Sequence, residues 1–78
     1  MEYIDVIIVH VGKKTYSYNG NPIYKIIYRE VGSDTQIETK TQANNGFVYG
    51  VVWHNLNGKY AKISLTKSGK IEDLKEVA

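Results

Sequence analysis

Short runs of β-branched and aromatic residues, cut at close intervals by glycine and asparagine, organise this chain. Turn chemistry falls at Gly12, Asn19-Gly20-Asn21-Pro22, Gly32-Ser33-Asp34, Asn44-Asn45-Gly46, Asn57-Gly58 and Ser68-Gly69. Asn-Gly, which supplies the positive φ angles of tight hairpin turns, occurs three times. The segments between these turns are rich in Val, Ile, Tyr and Thr and hold no sustained helical period. They predict strands over Tyr3–Val11, Ile23–Val31, Gln36–Thr41, Phe47–His54, Lys59–Lys67 and Lys70–Leu74. The tail Ile71–Ala78 accommodates a helical turn as well as an edge strand. The expectation is one all-β domain over residues 1–78, an antiparallel meander of five to six strands closing into a small SH3-like or OB-like barrel.

The first strand is apolar on both faces, with Ile4, Val6 and Ile8 on one and Tyr3, Ile7, Val9 and Val11 on the other. Such a strand is covered on both sides, either in the middle of a barrel or at a subunit interface, so homodimerisation through it is one expectation.

The Asn57-Gly58 turn sets the facing of the aromatics. A two-residue hairpin loop there places Phe47, Tyr49, Val51, Trp53, Tyr60, Lys62, Ser64 and Thr66 on one face, and Val48, Gly50, Val52, His54, Ala61, Ile63 and Leu65 on the other. The second face is the natural core, which leaves the aromatics beside a lysine in partial contact with water. A loop of odd length reverses the parity and buries Trp53 with Ile63 and Leu65. Both arrangements remain open at this level, because large aromatics fill the cores of small β-proteins as readily as they form platforms.

Charge sharpens the picture. Residues 1–39 carry four basic and five acidic side chains, net −1, and residues 40–78 carry six basic and three acidic, net +3, which together give the net +2 of the chain. Between Lys40 and Lys70 there are five lysines and no acid, interleaved with Phe47, Tyr49, Trp53 and Tyr60. Lysines interleaved with aromatics can track phosphates and stack bases, and they equally protect a solvated sheet edge.

The chemistry of most enzymes is missing from the pattern. His10 and His54 stand alone, no spacing of His, Asp or Glu matches a metal site, and no acid pair is poised for proton transfer. Thr66-Lys67-Ser68-Gly69-Lys70 lacks the glycine spacing of a phosphate loop and reads as a turn. No catalytic residue, cofactor or metal is therefore expected. With no cysteine, the chain has no disulfide and suits a reducing cytoplasm, and its one long apolar run is too short to span a bilayer, so no membrane is expected as a partner.

Two stretches, Gly20-Asn21-Pro22-Ile23-Tyr24 and Gly58-Lys59 leading through Ile63-Ser64-Leu65-Thr66 to Gly69-Lys70-Ile71, resemble short uncharacterised β-proteins of tailed phages and prophages. The resemblance covers the central and C-terminal two thirds of the chain and implies a small β-protein of a mobile element, with no functional residue to carry over. The functional expectation is a non-catalytic binding domain for single-stranded nucleic acid, with Tyr49, Trp53 and Tyr60 stacking bases and Lys40, Lys59, Lys62 and Lys67 on phosphates. The alternative is a phage-encoded module that uses the same tyrosine-rich surface to inhibit a host defence or replication protein.

Overall fold

The computed structural model describes residues 2–43, 48 and 51–75. Five strands, β1 (Ile4–Tyr16), β2 (Pro22–Glu30), β3 (Ile37–Lys40), β4 (Tyr60–Leu65) and β5 (Ile71–Lys75), form one antiparallel sheet in the order β3-β2-β1-β4-β5. The chain meanders through β1, β2 and β3, then crosses back to lay β4 against the far side of β1, which is a Greek key. A parallel bridge between Thr41 and Ile71 joins the end of β3 to the start of β5 and brings the sheet's two edges together. With β1 paired to both β2 and β4, and a helical turn between β3 and β4, the connectivity is that of the OB-like barrel. The C-terminal segment Ile71–Lys75 is a strand.

β1 is the spine. Its β-branched run feeds Val6, Ile8 and Val11 into the core, while the outward Ile7 and Val9 are half-buried among neighbouring strands. Both its edges are paired over Val6–Ile7, so its two-sided apolarity is that of a central barrel strand. Two register shifts against β2, between Ile8 and His10 and between Val11 and Lys14, bend it so that its far half swings out as a two-stranded ribbon with Pro22–Tyr24. The second shift contains Gly12, where a side chain would be crowded. A Cβ at that position would stand 3.2 Å from Cβ of Lys25 and 3.3 Å from its carbonyl oxygen.

The expected fourth strand, Phe47–His54, is not formed where the chain is described. Phe47, Tyr49 and Gly50 lie outside the described residues; Val51 and Val52 have no regular structure, and Trp53–Leu56 is a single 3-10 turn. Asn57-Gly58 consequently closes no hairpin. Gly58, at φ +77°, turns the chain out of the 3-10 turn, and its amide donates to the Ile8 carbonyl at 2.7 Å. The Ile8 amide donates to the Lys59 carbonyl at 2.8 Å, and the Asn57 side-chain oxygen accepts from the Val11 amide at 2.7 Å. These bonds serve the edge of β1 where β4 does not reach.

The core comprises Val6, Ile8, Val11, Ile26, Tyr28, Val48, Leu56, Ala61, Ile63 and Ile71 around Trp53. Trp53 is 1% exposed, its indole N–H donates to the Val48 carbonyl at 3.1 Å, and its ring stacks on Tyr24 with centroids 5.5 Å apart. Burial of so large a ring with its polar handle satisfied makes it a principal source of stability. Trp53→Ala is expected to lose about 3–5 kcal/mol in urea unfolding. In the native protein Trp53 emission should resist iodide quenching and become quenchable on unfolding; efficient quenching in the folded state would contradict the packing.

Candidate nucleic-acid interface

The residues expected to form one aromatic and basic surface are dispersed by the fold. Trp53 is in the core, so its ring is closed to a base, and Tyr49 lies outside the described residues. Lys59, Tyr60 and Lys62 lie at and just before the start of β4, separated from Lys40 of β3 by β1 and β2 on one side and by β5 on the other, and none of them lines a depression with Lys40. Tyr60 and Lys62 converge on Asp5 of β1: the Tyr60 hydroxyl donates to the carboxylate at 2.6 Å and the Lys62 ammonium stands 3.4 Å from the same oxygen. The acid-free window in sequence is thus not acid-free in space. Lys67 is exposed in the turn between β4 and β5.

A different basic surface forms on the outer face of β1, β2 and β3. The register sets Lys25 of β2 directly opposite Lys40 of β3. Outward-pointing residues of β2 alternate as Ile23, Lys25, Ile27 and Arg29, while Ile26 and Tyr28 point into the core. Two depressions share the Lys25-Lys40 pair. One, about 240 Å³, adds Lys70 and Ser68 from the β4–β5 turn together with Glu38 and Thr39; the other, about 320 Å³, adds Lys13, Thr15 and Ile23 from the β1–β2 ribbon. Four lysines from three strands and a turn therefore line a groove made of two adjoining depressions that share Lys25 and Lys40. Among the described residues that line it, the one acid is Glu38, whose carboxylate is 3.6 Å from the Lys25 ammonium.

Like charges directly opposite in a sheet are destabilising by a few tenths of a kcal/mol to about 1 kcal/mol. The Glu38 contact offsets little of this, since both side chains are largely exposed at 61% and 70%. A site that holds two cations together against their repulsion is one that an anion relieves.

At the tip of the ribbon, two tyrosines are exposed. Tyr16 is 63% exposed with the Lys14 ammonium 5.4 Å over its ring, and Tyr18 is wholly exposed in the turn. On the ribbon's other face, Tyr16 and Tyr24 line a further depression of about 240 Å³ with Lys14 and Pro22. Lys13 and Lys25 escaped the sequence reading because they lie in the half of the chain with net negative charge. The alternation Ile23, Lys25, Ile27, Arg29 was the signal that could have placed Lys25 on the surface.

Titration follows from the contacts. The hydrogen bond from Tyr60 is the main cause that holds the Asp5 carboxyl below its ordinary value, with Lys62 adding to it and partial burial opposing it. The bond that Tyr3 donates to Asp73 pushes the Tyr3 phenol up, and burial pushes Tyr28 up. For Asp5 the folded value lies below the unfolded one, so its contribution is complete above about pH 4 and is lost as pH falls through the folded value. The tyrosine values are raised, so those contributions hold below about pH 10 and are lost above it. Asp5→Asn should accordingly flatten the acid limb of a stability profile from urea unfolding at stepped pH; an unaltered limb would mean that the Asp5 contacts carry no net stability. No family model, curated protein or solved structure matches this chain, which leaves the geometry of these side chains as the ground for its function.

Proposed function

We propose that this protein is a small non-catalytic binding domain that holds single-stranded nucleic acid in the groove across β1, β2 and β3. The observation that carries the reading is the Lys25-Lys40 pair, opposed across the sheet and joined by Lys13 on one side and Lys70 on the other. These four lysines contact phosphates, Lys67 lies exposed in the adjoining β4–β5 turn, and Tyr18, wholly exposed at the ribbon's tip, offers a stacking face at the opposite end. The OB-like connectivity adds support by analogy alone, since barrels of this kind bind oligonucleotides on the face of strands 2 and 3 between the loops that follow strands 1 and 4. Lys59, Tyr60 and Lys62 are outside this groove.

A second reading, a phage-encoded module directed at a host protein, is favoured by the exposure of Tyr16 and Tyr18 at one tip, because tyrosine joins a large apolar body to a polar end. Capture of a protein from a bacterial lysate that survives nuclease treatment, and is lost in Tyr18→Ala, would favour it over the first.

Fluorescence anisotropy with a labelled oligonucleotide of about 12 nucleotides tests the leading reading. Four phosphate contacts predict a slope of log affinity against log salt of about −3, and Lys25→Ala or Lys40→Ala should each reduce its magnitude by about 0.7. Lys62→Ala should leave it unaltered. Tyr18→Ala should weaken binding by about 1–3 kcal/mol without changing the slope. No binding at low salt, or affinity indifferent to salt, would sink the proposal.

A further inference from the structure

Glu38 is an anomaly in a groove suited to a polyanion. It stands on the outer face of β3 opposite Ile27 of β2, with Lys25 and Lys40 beside it and Lys70 lining the same depression. A phosphate over this carboxylate would meet a like charge at close range in place of the lysines on either side. A bound strand therefore places its phosphates along Lys13, Lys25, Lys40 and Lys70 and turns some other part of itself toward Glu38. On a single strand that part is the edge of a base, unpaired and open to hydrogen bonding.

We infer that Glu38 makes the groove selective for guanine. The inference rests on the nucleic-acid reading and names the base it prefers. An ionised carboxylate only accepts hydrogen bonds, through two oxygens side by side. The Watson–Crick edge of guanine presents two adjacent donors, N1–H and the N2 amino group, that meet both oxygens at once. Thymine and uracil present one N–H between two carbonyl oxygens, and the carboxylate repels both of these. Cytosine and adenine each offer an amino group next to a ring acceptor, which allows a single bond. The Lys25 ammonium stands 3.6 Å from the carboxylate, and with the Glu38 side chain 61% exposed its oxygens are open to a base edge.

Anisotropy titrations of the full chain with two labelled oligonucleotides of equal length test this, one of thymine alone and one in which single guanines alternate with thymines so that no four-stranded structure forms. The wild type should bind the guanine-containing strand about fivefold or more tightly than the thymine strand. Glu38→Gln, at an exposed position, should erase that preference while binding the thymine strand more tightly, because a negative charge has left the groove. Equal wild-type affinity for the two strands would overturn the guanine assignment and leave the nucleic-acid reading intact. So would a Glu38→Gln variant that gains affinity for both strands with the preference retained, since Glu38 would then be a competing charge only. Absence of binding to either strand at low salt would overturn both proposals together.

Discussion

The backbone of β1 has to be satisfied on both edges from Ile4 to Val11, and most of the molecule answers to that demand. β2 serves one edge along nearly the whole length, but β4 covers the other only from Ile4 to Ile7. Beyond that point Gly58, Lys59 and the Asn57 side chain supply the missing partners at Ile8 and Val11. Unpaired amides and carbonyls at these depths would each cost about 1–3 kcal/mol, comparable with the loss of a buried methylene or two. The segment ahead of β4 is thereby pinned to the barrel wall, and the 3-10 turn just before it delivers Trp53 and Leu56 into the core. The indole then has one partner for its N–H and one ring to stack on, both within the same end of the barrel.

The curvature of β1 has a second consequence. Its two register shifts carry the strand out of the sheet as a ribbon, and that places Lys13 within reach of the same hollow as Lys25 and Lys40. The close approach of Gly12 to Lys25 belongs to this bend, so the groove and the barrel share a structural cause. A straight β1 would end near Val11 and leave no ribbon to wall the groove.

Most of the strands were legible because their alternation is strong and their turns are marked by Asn-Gly or Ser-Gly. The strand expected over Phe47–His54 misled, since Val51, Val52 and Trp53 have strand propensity, whereas a barrel with an open end has a use for an indole that propensity does not record. The Asn57-Gly58 pair kept its positive φ but spent it on leaving a helical turn rather than on closing a hairpin. Charge was misread for a simpler reason. Counting along the chain grouped Lys59 and Lys62 with Lys40, while the sheet order separates them by two strands, gives Lys62 to Asp5 and recruits Lys13 and Lys25 from the acidic half. Of the lysines expected on phosphates, Lys40 stands at the centre of the groove and Lys67 beside its far end.

β3 carries Lys40 and Glu38 yet has the least apolar burial of the strands, with Ile37, Glu38 and Lys40 all exposed. Its position depends on polar ties instead. The Thr41 amide donates to the Tyr24 carbonyl and the Thr41 hydroxyl accepts from the Tyr24 amide, each at 3.0 Å, with Thr41 itself wholly buried. The Thr39 hydroxyl donates to the Gly69 carbonyl, and the Gln42 amide to the Ile71 carbonyl at 2.8 Å. Four hydrogen bonds at about 1 kcal/mol each outweigh the repulsion of one opposed lysine pair, which is at most about the worth of one of them. A short, polar strand can therefore hold a locally unfavourable charge arrangement without support from the core, and two of the residues that do so, Thr39 in β3 and Thr41 just beyond its end, bracket Lys40 in the chain.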